Sequence, residues 1–399
     1  MHSLSTIATF LVALSVSAQN INGSWHGELN IGFSKIPLAL NLPSSGNPTL
    51  DSPMQGAKGL LVDVTYLSSD SLSCLFPTIR ASYSARLHDG ELKGIFEQNG
   101  FQYALNMKPG MTILSRPQTP QPPFPYKTKE VTFTNPKADI SLSGTLTLPE
   151  GAKCVLLMVT GSGNQNRDEE LLGHKPFAVI ADRLARVGIA TLRYDDRAVG
   201  KSIGGNKFPN LTTQDNCDDA LSGIEWLRNY GKFKKVGVLG HSEGGTIAFM
   251  LGAMQKVDFI VSLAASVVRG DSVLLEQNKF MGLQDLTIEQ LRQMPTLKQG
   301  LWFQYFLDYD PRPDIRKVSC PVFALNGSND VQVFASQHLP ALRRSLANNK
   351  HHLIKQYEGL NHLFQHCQLC LPTEYGQIEE TISEAVLADI ISWVQQVCQ

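Results

Sequence analysis

Residues 240–245 read Gly-His-Ser-Glu-Gly-Gly and directly follow an apolar run at 235–239. A Gly-x-Ser-x-Gly pattern at such a junction is typical of a strand that turns sharply into a helix, with an exposed serine at the apex. The turn crowds the backbone on both sides of the serine, and Gly240 and Gly244 relieve the crowding because they lack a Cβ atom. We therefore predict that Ser242 is a catalytic nucleophile that attacks a carbonyl carbon.

A serine hydroxyl is inert at neutral pH unless a base and an orienting acid stand beside it. Asp330 fits the acid, because it ends the segment Asn-Gly-Ser-Asn-Asp that follows an apolar, strand-like run at 321–325. Asp308 and Asp310 are competitors, but they precede that run. We predict that Asp330 orients the base.

His362 fits the base, because it lies in Gly-Leu-Asn-His between the last predicted strand and the final predicted helix. From that position an imidazole can meet both Ser242 and Asp330. His351 and His352 begin the last strand and are weaker candidates, as is His366, one turn further along the chain. We predict that His362 is the general base.

An oxyanion that forms on the carbonyl needs two backbone donors. One is the N–H of Glu243, the residue after the nucleophile. The other is predicted on the segment Thr-Gly-Ser-Gly at 160–163, which follows a strand-like run at 155–159. We assign it to Ser162, with Gly163 as the alternative.

Charged segments lie near these motifs, at 166–169 (Asn-Arg-Asp-Glu) and at 193–197 (Arg-Tyr-Asp-Asp-Arg). We expect their opposite charges to pair with one another and to brace the mouth of the site, without taking part in the chemistry.

Composition excludes several classes of function. The chain has 399 residues, with 35 Lys and Arg against 36 Asp and Glu. Because no net charge or basic cluster favours nucleic acid or an anionic membrane, we expect neither as a partner. A small-molecule substrate is expected instead, without a cofactor, and the sequence is compatible with a homo-oligomer.

The chain has seven cysteines. Cys154 and Cys320 lie in apolar runs and are expected to be small buried residues. Cys367 and Cys370 are spaced for a local disulfide in an oxidising compartment. No second Cys/His pair near them supplies the spacing of a structural zinc site, so we expect no metal.

The N-terminal segment predicts export. Residues 4–16 are rich in apolar side chains, and Val16 and Ala18 suit cleavage by signal peptidase after Ala18. We predict a signal peptide at 1–18 and a periplasmic or extracellular location, with a buried first strand or helix as the alternative. The segment is too short for a good transmembrane helix, so no stable membrane insertion is expected.

Five prolines between Pro117 and Pro125 indicate a stiff linker at 116–126. Before it, residues 19–115 alternate apolar and polar side chains at period two, which predicts a small all-β domain, a sandwich or barrel. After it, residues 127–399 alternate apolar runs with helical segments. This pattern predicts an α/β domain with a mostly parallel sheet covered by helices on both faces.

Two segments of the second domain carry further expectations. The final helix is predicted at 378–397. Residues 266–318 interrupt the strand–helix alternation and are rich in Leu, Met and Phe, which we interpret as a helical lid that lines an acyl pocket. Two ordinary packing helices are the alternative.

With these motifs in view, the chain resembles the α/β-hydrolase superfamily, and more narrowly a group of bacterial exported esterases with an N-terminal β domain. The resemblance runs from about residue 20 to the C-terminus and rests on the segments at 116–126, 160–163, 193–197, 240–245 and 359–365. It implies an α/β-hydrolase sheet with a lid insertion, and a metal-free carboxylesterase for short acyl chains. It also implies Ser242, Asp330 and His362 as the triad.

The chain departs from that group at a few positions. Asn164 and Asn166 stand where the group often has proline and aspartate, and Ala198 stands where it often has glycine. These departures leave the triad intact and bear on the shape of the pocket.

Two other functions are compatible with the sequence. One is a serine aminopeptidase or amidase on the same scaffold, in which Glu243, Asp168 or Glu169 would hold the substrate amine. The other is a glycan-binding or surface-binding protein whose N-terminal β domain matters most and whose hydrolase activity is incidental.

Overall fold

A computed structural model of the chain describes residues 21–32, 35–110, 115–205, 208–283, 286–298, 300–347 and 349–399. The predicted signal peptide at 1–18 lies outside the described residues. The chain divides into two compact units, residues 1–114 and residues 115–399.

The described part of the first unit is one antiparallel sheet of nine strands in the order β4-β3-β2-β1-β9-β8-β7-β6-β5. The strands are β1 (Gly23–Asn30), β2 (Lys35–Leu42), β3 (Thr49–Ser52), β4 (Ala57–Leu61), β5 (Asp63–Leu67), β6 (Ser71–Phe76), β7 (Ala81–His88), β8 (Glu91–Gln98) and β9 (Phe101–Pro109). The period-two pattern is confirmed, because Leu38, Leu40 and Leu42 of β2 all point into the core. The end strands β4 and β5 are separated only by Val62, so the sheet curves around that core.

The second unit contains an eight-stranded sheet in the order β10-β11-β13-β12-β14-β15-β16-β17. Its strands are β10 (Lys127–Asn135), β11 (Ile140–Leu148), β12 (Cys154–Val159), β13 (Ala190–Tyr194), β14 (Lys235–His241), β15 (Ile260–Leu263), β16 (Val322–Gly327) and β17 (Leu353–Tyr357). The hairpin β10–β11 is antiparallel, and β11 is antiparallel to β13. All pairs from β13 to β17 are parallel, so the predicted mostly parallel sheet is confirmed.

Helices cover both faces of this sheet. They are α1 (Pro176–Ala185), α2 (Thr213–Asn229), α3 (Glu243–Ala253), α4 (Gly270–Phe280), α5 (Ile288–Arg292), α6 (Leu301–Asp308), α7 (Arg312–Ile315), α8 (Ala335–Ser345) and α9 (Glu384–Cys398). Buried side chains of α2, α3 and α8 form one apolar core with the sheet, and those of α1 and α9 form another. Helices α4 to α7 lie between β15 and β16, where the sequence predicts a helical insertion.

The final helix begins later than the predicted range of 378–397. Helix α9 starts only at Glu384, because the backbone before it bonds to a side chain instead of to the next helical turn. Gln118 Oε1 accepts the N–H groups of Thr381 and Ile382 at 2.6 and 3.1 Å, and Gln118 Nε2 donates to the Ile382 carbonyl at 2.7 Å. This one amide therefore holds the preceding segment in an extended form.

Two disulfides join parts of the second unit. Cys367 bonds to Cys370, as the spacing indicates. Cys154 bonds to Cys398, so the interpretation of Cys154 as merely a small buried residue is wrong. The pairing follows from the fold, because the start of β12 lies beside the end of α9 with the two Cα atoms 5.9 Å apart. None of the described helices combines the length and the apolar character needed to cross a bilayer.

Replacement of Gln118 should destabilise the second unit. Gln118→Ala leaves the Ile382 carbonyl and two N–H groups without their partner, and each buried polar group left unpaired costs about 1–3 kcal/mol. We expect Gln118→Ala to lower the melting temperature of the full chain by several degrees in calorimetry. Gln102→Ala in β9, which removes one exposed hydrogen bond to Glu97 of β8, is the control. Equal melting of both variants would contradict the anchoring role of Gln118.

Candidate active site

Ser242 occupies a strained position between β14 and α3. Its backbone has φ 53° and ψ −117°, a left-handed conformation that only a tight turn imposes on a serine. A Cβ atom on Gly240 would lie 2.0 Å from the Gly244 carbonyl oxygen, and one on Gly244 would lie 2.1 Å from the Val159 carbonyl oxygen. Both glycines are therefore required by close backbone approach, as the motif indicates.

Asp330 and His362 lie together at the ends of adjacent strands. His362 Nδ1 is 2.8 Å from Asp330 Oδ2, and both side chains are buried. The other carboxylate oxygen, Oδ1, accepts the backbone N–H groups of Gln332 and Val333, each at 2.8 Å. These contacts leave the carboxylate only one orientation, in which it fixes the tautomer of the imidazole so that Nε2 can act as the base.

A buried asparagine shapes the loop that carries His362. Asn361 Oδ1 accepts the N–H groups of Leu363 and Gln365, both at 3.0 Å, and Asn361 N–H donates to the Gln365 carbonyl at 3.0 Å. The loop therefore folds back on itself directly after His362. The sequence is consistent with this role, because asparagine favours turns in which its side chain bonds to the backbone of following residues.

Ser242 lies at the junction of two cavities. One, of about 600 Å³, is lined by Ser242 and His362 together with Ser162 and Gly163. The other, of about 240 Å³, also reaches Ser242 and Ser162 and extends under the insertion between β15 and β16. Ser242, His362 and the segment after β12 thus meet at one place, and Asp330 contacts His362 from behind.

The backbone N–H groups near Ser242 differ in whether they already have an acceptor. The Gly161 N–H is already engaged by the Glu169 carboxylate at 2.7 Å. By contrast, the N–H groups of Ser162 and Glu243 donate to no acceptor among the described residues. Glu243 is also the first residue of α3, where the helix dipole favours negative charge. Both predicted oxyanion donors are therefore without a competing acceptor.

The smaller cavity is mostly apolar and contains one carboxylate. Val273 of α4 and Phe303 and Phe306 of α6, all in the insertion between β15 and β16, line it. Glu243 supplies the carboxylate, which accepts a hydrogen bond from Thr213 Oγ1 at 2.6 Å and from Trp302 Nε1 at 2.9 Å. The lid is therefore bonded to the residue that follows the nucleophile.

The charged segments at 166–169 and 193–197 pair with each other as predicted. Arg167 forms an ion pair with Asp195 at 2.6 Å, and Arg193 forms one with Asp168. These contacts hold the loop after β12 against the end of β13. None of these four side chains lines either cavity at Ser242.

Burial changes the ionisation of two groups around the site. It raises the pKa of Asp196 to about 7, although hydrogen bonds from Gln165 and Thr160 oppose this shift. It lowers the pKa of His338 to about 4. His338 Nδ1 accepts the Val267 N–H at 3.0 Å, so the ring is neutral and serves as a structural acceptor. No group of His, Cys, Asp and Glu in the described ranges is arranged to hold a metal ion.

Glu169 and His241 form a contact that no motif in the sequence indicates. Glu169 Oε1 lies 3.0 Å from His241 Nδ1, and both residues line the larger cavity. A signal was present for His241, which stands directly before Ser242 in the motif. None was present for its partner, because 72 residues separate the two in the chain.

The chain is similar to several known hydrolases. Residues 175–301, about a third of the chain, match a family model described as serine aminopeptidase, S33. Esterase EstD of Thermotoga maritima is 26% identical over 291 residues, which are 68% of this chain and 68% of EstD.

Solved structures are similar in fold at low sequence identity. An esterase of Pyrococcus furiosus has a TM-score of 0.51 and 17% identity, with 73% of this chain and 100% of that chain covered. The α/β hydrolase GrgF of Penicillium sp. sh18 has a TM-score of 0.50 and 15% identity, with 68% of this chain and 99% of GrgF covered.

Asp330→Asn should disable the base while the fold is retained. The amide oxygen can still accept the Gln332 and Val333 N–H groups, but its NH₂ faces His362 Nδ1 and selects the wrong tautomer. We expect the rate at which a fluorophosphonate labels Ser242 to fall by about 10²–10⁴, with little change in melting temperature. Asp310→Asn, in the loop before α7 where its carboxylate pairs with Arg312, is the control. Labelling of Asp330→Asn at the wild-type rate would exclude Asp330 as the acid.

Proposed function

We propose that the chain is a member of the α/β-hydrolase superfamily and, within it, a serine carboxylesterase that hydrolyses esters of short acyl chains. The observation that carries the proposal is the meeting of three features at one cavity. These are Ser242 at positive φ, His362 bonded to the buried Asp330 at 2.8 Å, and the unengaged N–H groups of Ser162 and Glu243. Together they match what acyl transfer to a serine requires.

In the proposed reaction Ser242 Oγ attacks the ester carbonyl while His362 Nε2 takes the hydroxyl proton. The carbonyl oxygen becomes an oxyanion that receives hydrogen bonds from the N–H groups of Ser162 and Glu243. The carbon–oxygen bond to the alcohol then breaks, and His362 returns the proton to the leaving alcohol. Water, deprotonated by His362, attacks the acyl-enzyme, and the acid leaves as Ser242 regains its proton.

Two observations support esters of short acids as substrates. EstD, a relative over most of the chain, is named an esterase. The cavity under the insertion has a volume of about 240 Å³, below the roughly 300–1,000 Å³ of pockets for larger ligands, and Phe303 and Phe306 line it. A cavity of limited size favours a short acyl chain over a long one.

A serine aminopeptidase is a second candidate. The description of the matching family model favours it, and so does one feature of the cavity. The Glu243 carboxylate lines the acyl cavity, and a carboxylate there could pair with the amino group of an aminoacyl substrate. Thr213 and Trp302 already donate hydrogen bonds to this carboxylate. That partial satisfaction is why we propose the esterase first.

We also propose that the protein is exported. The proposal rests on the predicted signal peptide at 1–18, and the disulfides Cys154–Cys398 and Cys367–Cys370 support it. Disulfides persist in oxidising compartments and are rare in the cytosol.

The proposed activity is tested with p-nitrophenyl esters of increasing chain length, run beside aminoacyl p-nitroanilides. We expect hydrolysis of the acetate to butyrate esters, a decline with longer chains, and no turnover of anilides. Ser242→Ala should lower kcat by about 10⁴–10⁶, by analogy with other triads. Ser222→Ala, at a serine of α2 whose hydroxyl donates to the Asp218 carbonyl at 3.0 Å, is the matched control. Ester hydrolysis that survives in Ser242→Ala would refute the mechanism.

Glu243→Gln distinguishes the two candidates. The glutamine keeps the backbone N–H and can still accept from Trp302, but it removes the negative charge. For an esterase we expect the KM of a butyrate ester to change by less than about threefold. For an aminopeptidase, aminoacyl anilides should be turned over by the wild type, and their KM should rise by at least about tenfold in the variant.

A further inference from the structure

Glu169 and His241 form a buried pair beside the proposed triad. Only 5% of the Glu169 side chain and 8% of the His241 side chain are exposed. His241 Nδ1 lies 3.0 Å from Glu169 Oε1, and His241 Nε2 lies 3.0 Å from the carbonyl oxygen of His362. Both nitrogens of one imidazole therefore face oxygen atoms.

These contacts fix the proton count of the pair. A backbone carbonyl can only accept, so His241 Nε2 must carry a hydrogen. The contact between Nδ1 and Oε1 also needs a hydrogen, because two lone pairs would repel at 3.0 Å. Glu169 and His241 together thus hold one proton more than a carboxylate and a neutral imidazole would, and the pair carries no net charge.

The pair joins three segments of the proposed active site. Glu169 Oε1 also accepts the Gly161 N–H, next to the proposed oxyanion donor Ser162. His241 precedes the nucleophile, and its ring is bonded to the backbone of His362, the proposed base. The spacing is tight, because a Cβ atom on Gly161 would lie 3.3 Å from both Glu169 Oε1 and the Ser242 Cβ.

We propose that Glu169 is a positioning residue, which through His241 holds the oxyanion segment, the nucleophile and the base in register. The inference rests on the proposed function and adds to it a group that does not touch the substrate. A glutamine in the same place could make the three contacts only beside an imidazolium whose charge is not compensated, whereas glutamate makes them in a pair without net charge.

The loop that carries Glu169 is built to hold it in place. Glu169 has φ 52°, a strained value for a residue with a side chain. Its N–H donates to the Asn166 carbonyl at 2.9 Å. The preceding residues Arg167 and Asp168 are bound by ion pairs to Asp195 and Arg193. The ion-paired charges predicted from the sequence therefore support the carboxylate that contacts the site.

The charges around His241 give the pair a pH dependence. Burial disfavours the imidazolium, but Glu169 outweighs it and raises the pKa of His241 above its ordinary value of 6.5. Asp330 acts in the same direction, and the His362 ring lies 4.7 Å away. On the far side of Glu169, Asp196 is the other charged neighbour. Because the pKa is raised on folding, the stabilisation is present below the ordinary pKa and is lost as pH rises through the raised one.

Glu169→Gln tests the proposal, since it removes the charge at constant size. We expect kcat for a short p-nitrophenyl ester, and the rate of fluorophosphonate labelling at Ser242, to fall by about 10–100-fold, with KM within about threefold. The melting temperature of the wild type should exceed that of the variant more at pH 6 than at pH 9. Glu225→Gln in α2, whose exposed carboxylate pairs with Lys256 and lines neither cavity at Ser242, is the matched control.

A second variant, His241→Asn, and the double variant show whether the pair acts as a unit. We expect the double variant to lose no more activity than the more impaired single variant. If Glu169→Gln folds and is labelled at the wild-type rate, the positioning role is refuted and the proposed function stands. The same holds if the losses of the two single variants simply multiply. If the wild type itself is not labelled at Ser242, both proposals fail.

Discussion

The arrangement of the rest of the site depends on the backbone conformation of Ser242. A residue with a side chain at φ 53° costs about 1–3 kcal/mol, which the surrounding structure must offset. The Ser242 N–H donates to the Leu263 carbonyl of β15 at 2.8 Å, so the turn is tied to the neighbouring strand. With glycine at 240 and 244, α3 can pack against β12 closely enough to lie under its carboxyl end. Ser242 therefore lies just beyond the end of β14, at the edge of the sheet where the loops after the other parallel strands also emerge.

Strand order then decides which loops can reach this serine. In the sequence β12-β14-β15-β16-β17, all parallel, the loops after β12 and β14 are neighbours, and those after β16 and β17 are neighbours. Strand β15 lies between the two pairs, and the chain leaves its carboxyl end to form helices α4 to α7. An insertion at that point lies over the gap between Ser242 and Asp330. Its placement as a wall of the acyl cavity is therefore a consequence of sheet order.

The sequence was informative where a local pattern carries the physics. The glycines around Ser242, the strand–helix alternation and the position of His362 after the last strand predict both the sheet and the meeting of the site residues. Contacts between distant segments leave no such pattern. Gln118 delays the start of α9, and Cys154 bonds to Cys398, because the fold brings together residues more than 200 positions apart. Glu169 was visible as a charge in a loop, yet its partner His241 could be recognised only once both loops were placed.

The negative charge of Glu243 would oppose an oxyanion beside it, and hydrogen bonds to its carboxylate reduce that opposition. Its N–H is a proposed oxyanion donor, while its carboxylate brings a negative charge close to where another would develop. The carboxylate is directed into hydrogen bonds with Thr213 of α2 and Trp302 of α6, and both donors draw its charge away from Ser242. Trp302 stacks on Phe306 of the same helix α6, with ring centroids 5.0 Å apart, so the indole that bonds to Glu243 is itself held in place. The insertion thus takes part in placing the Glu243 charge beside the proposed oxyanion site.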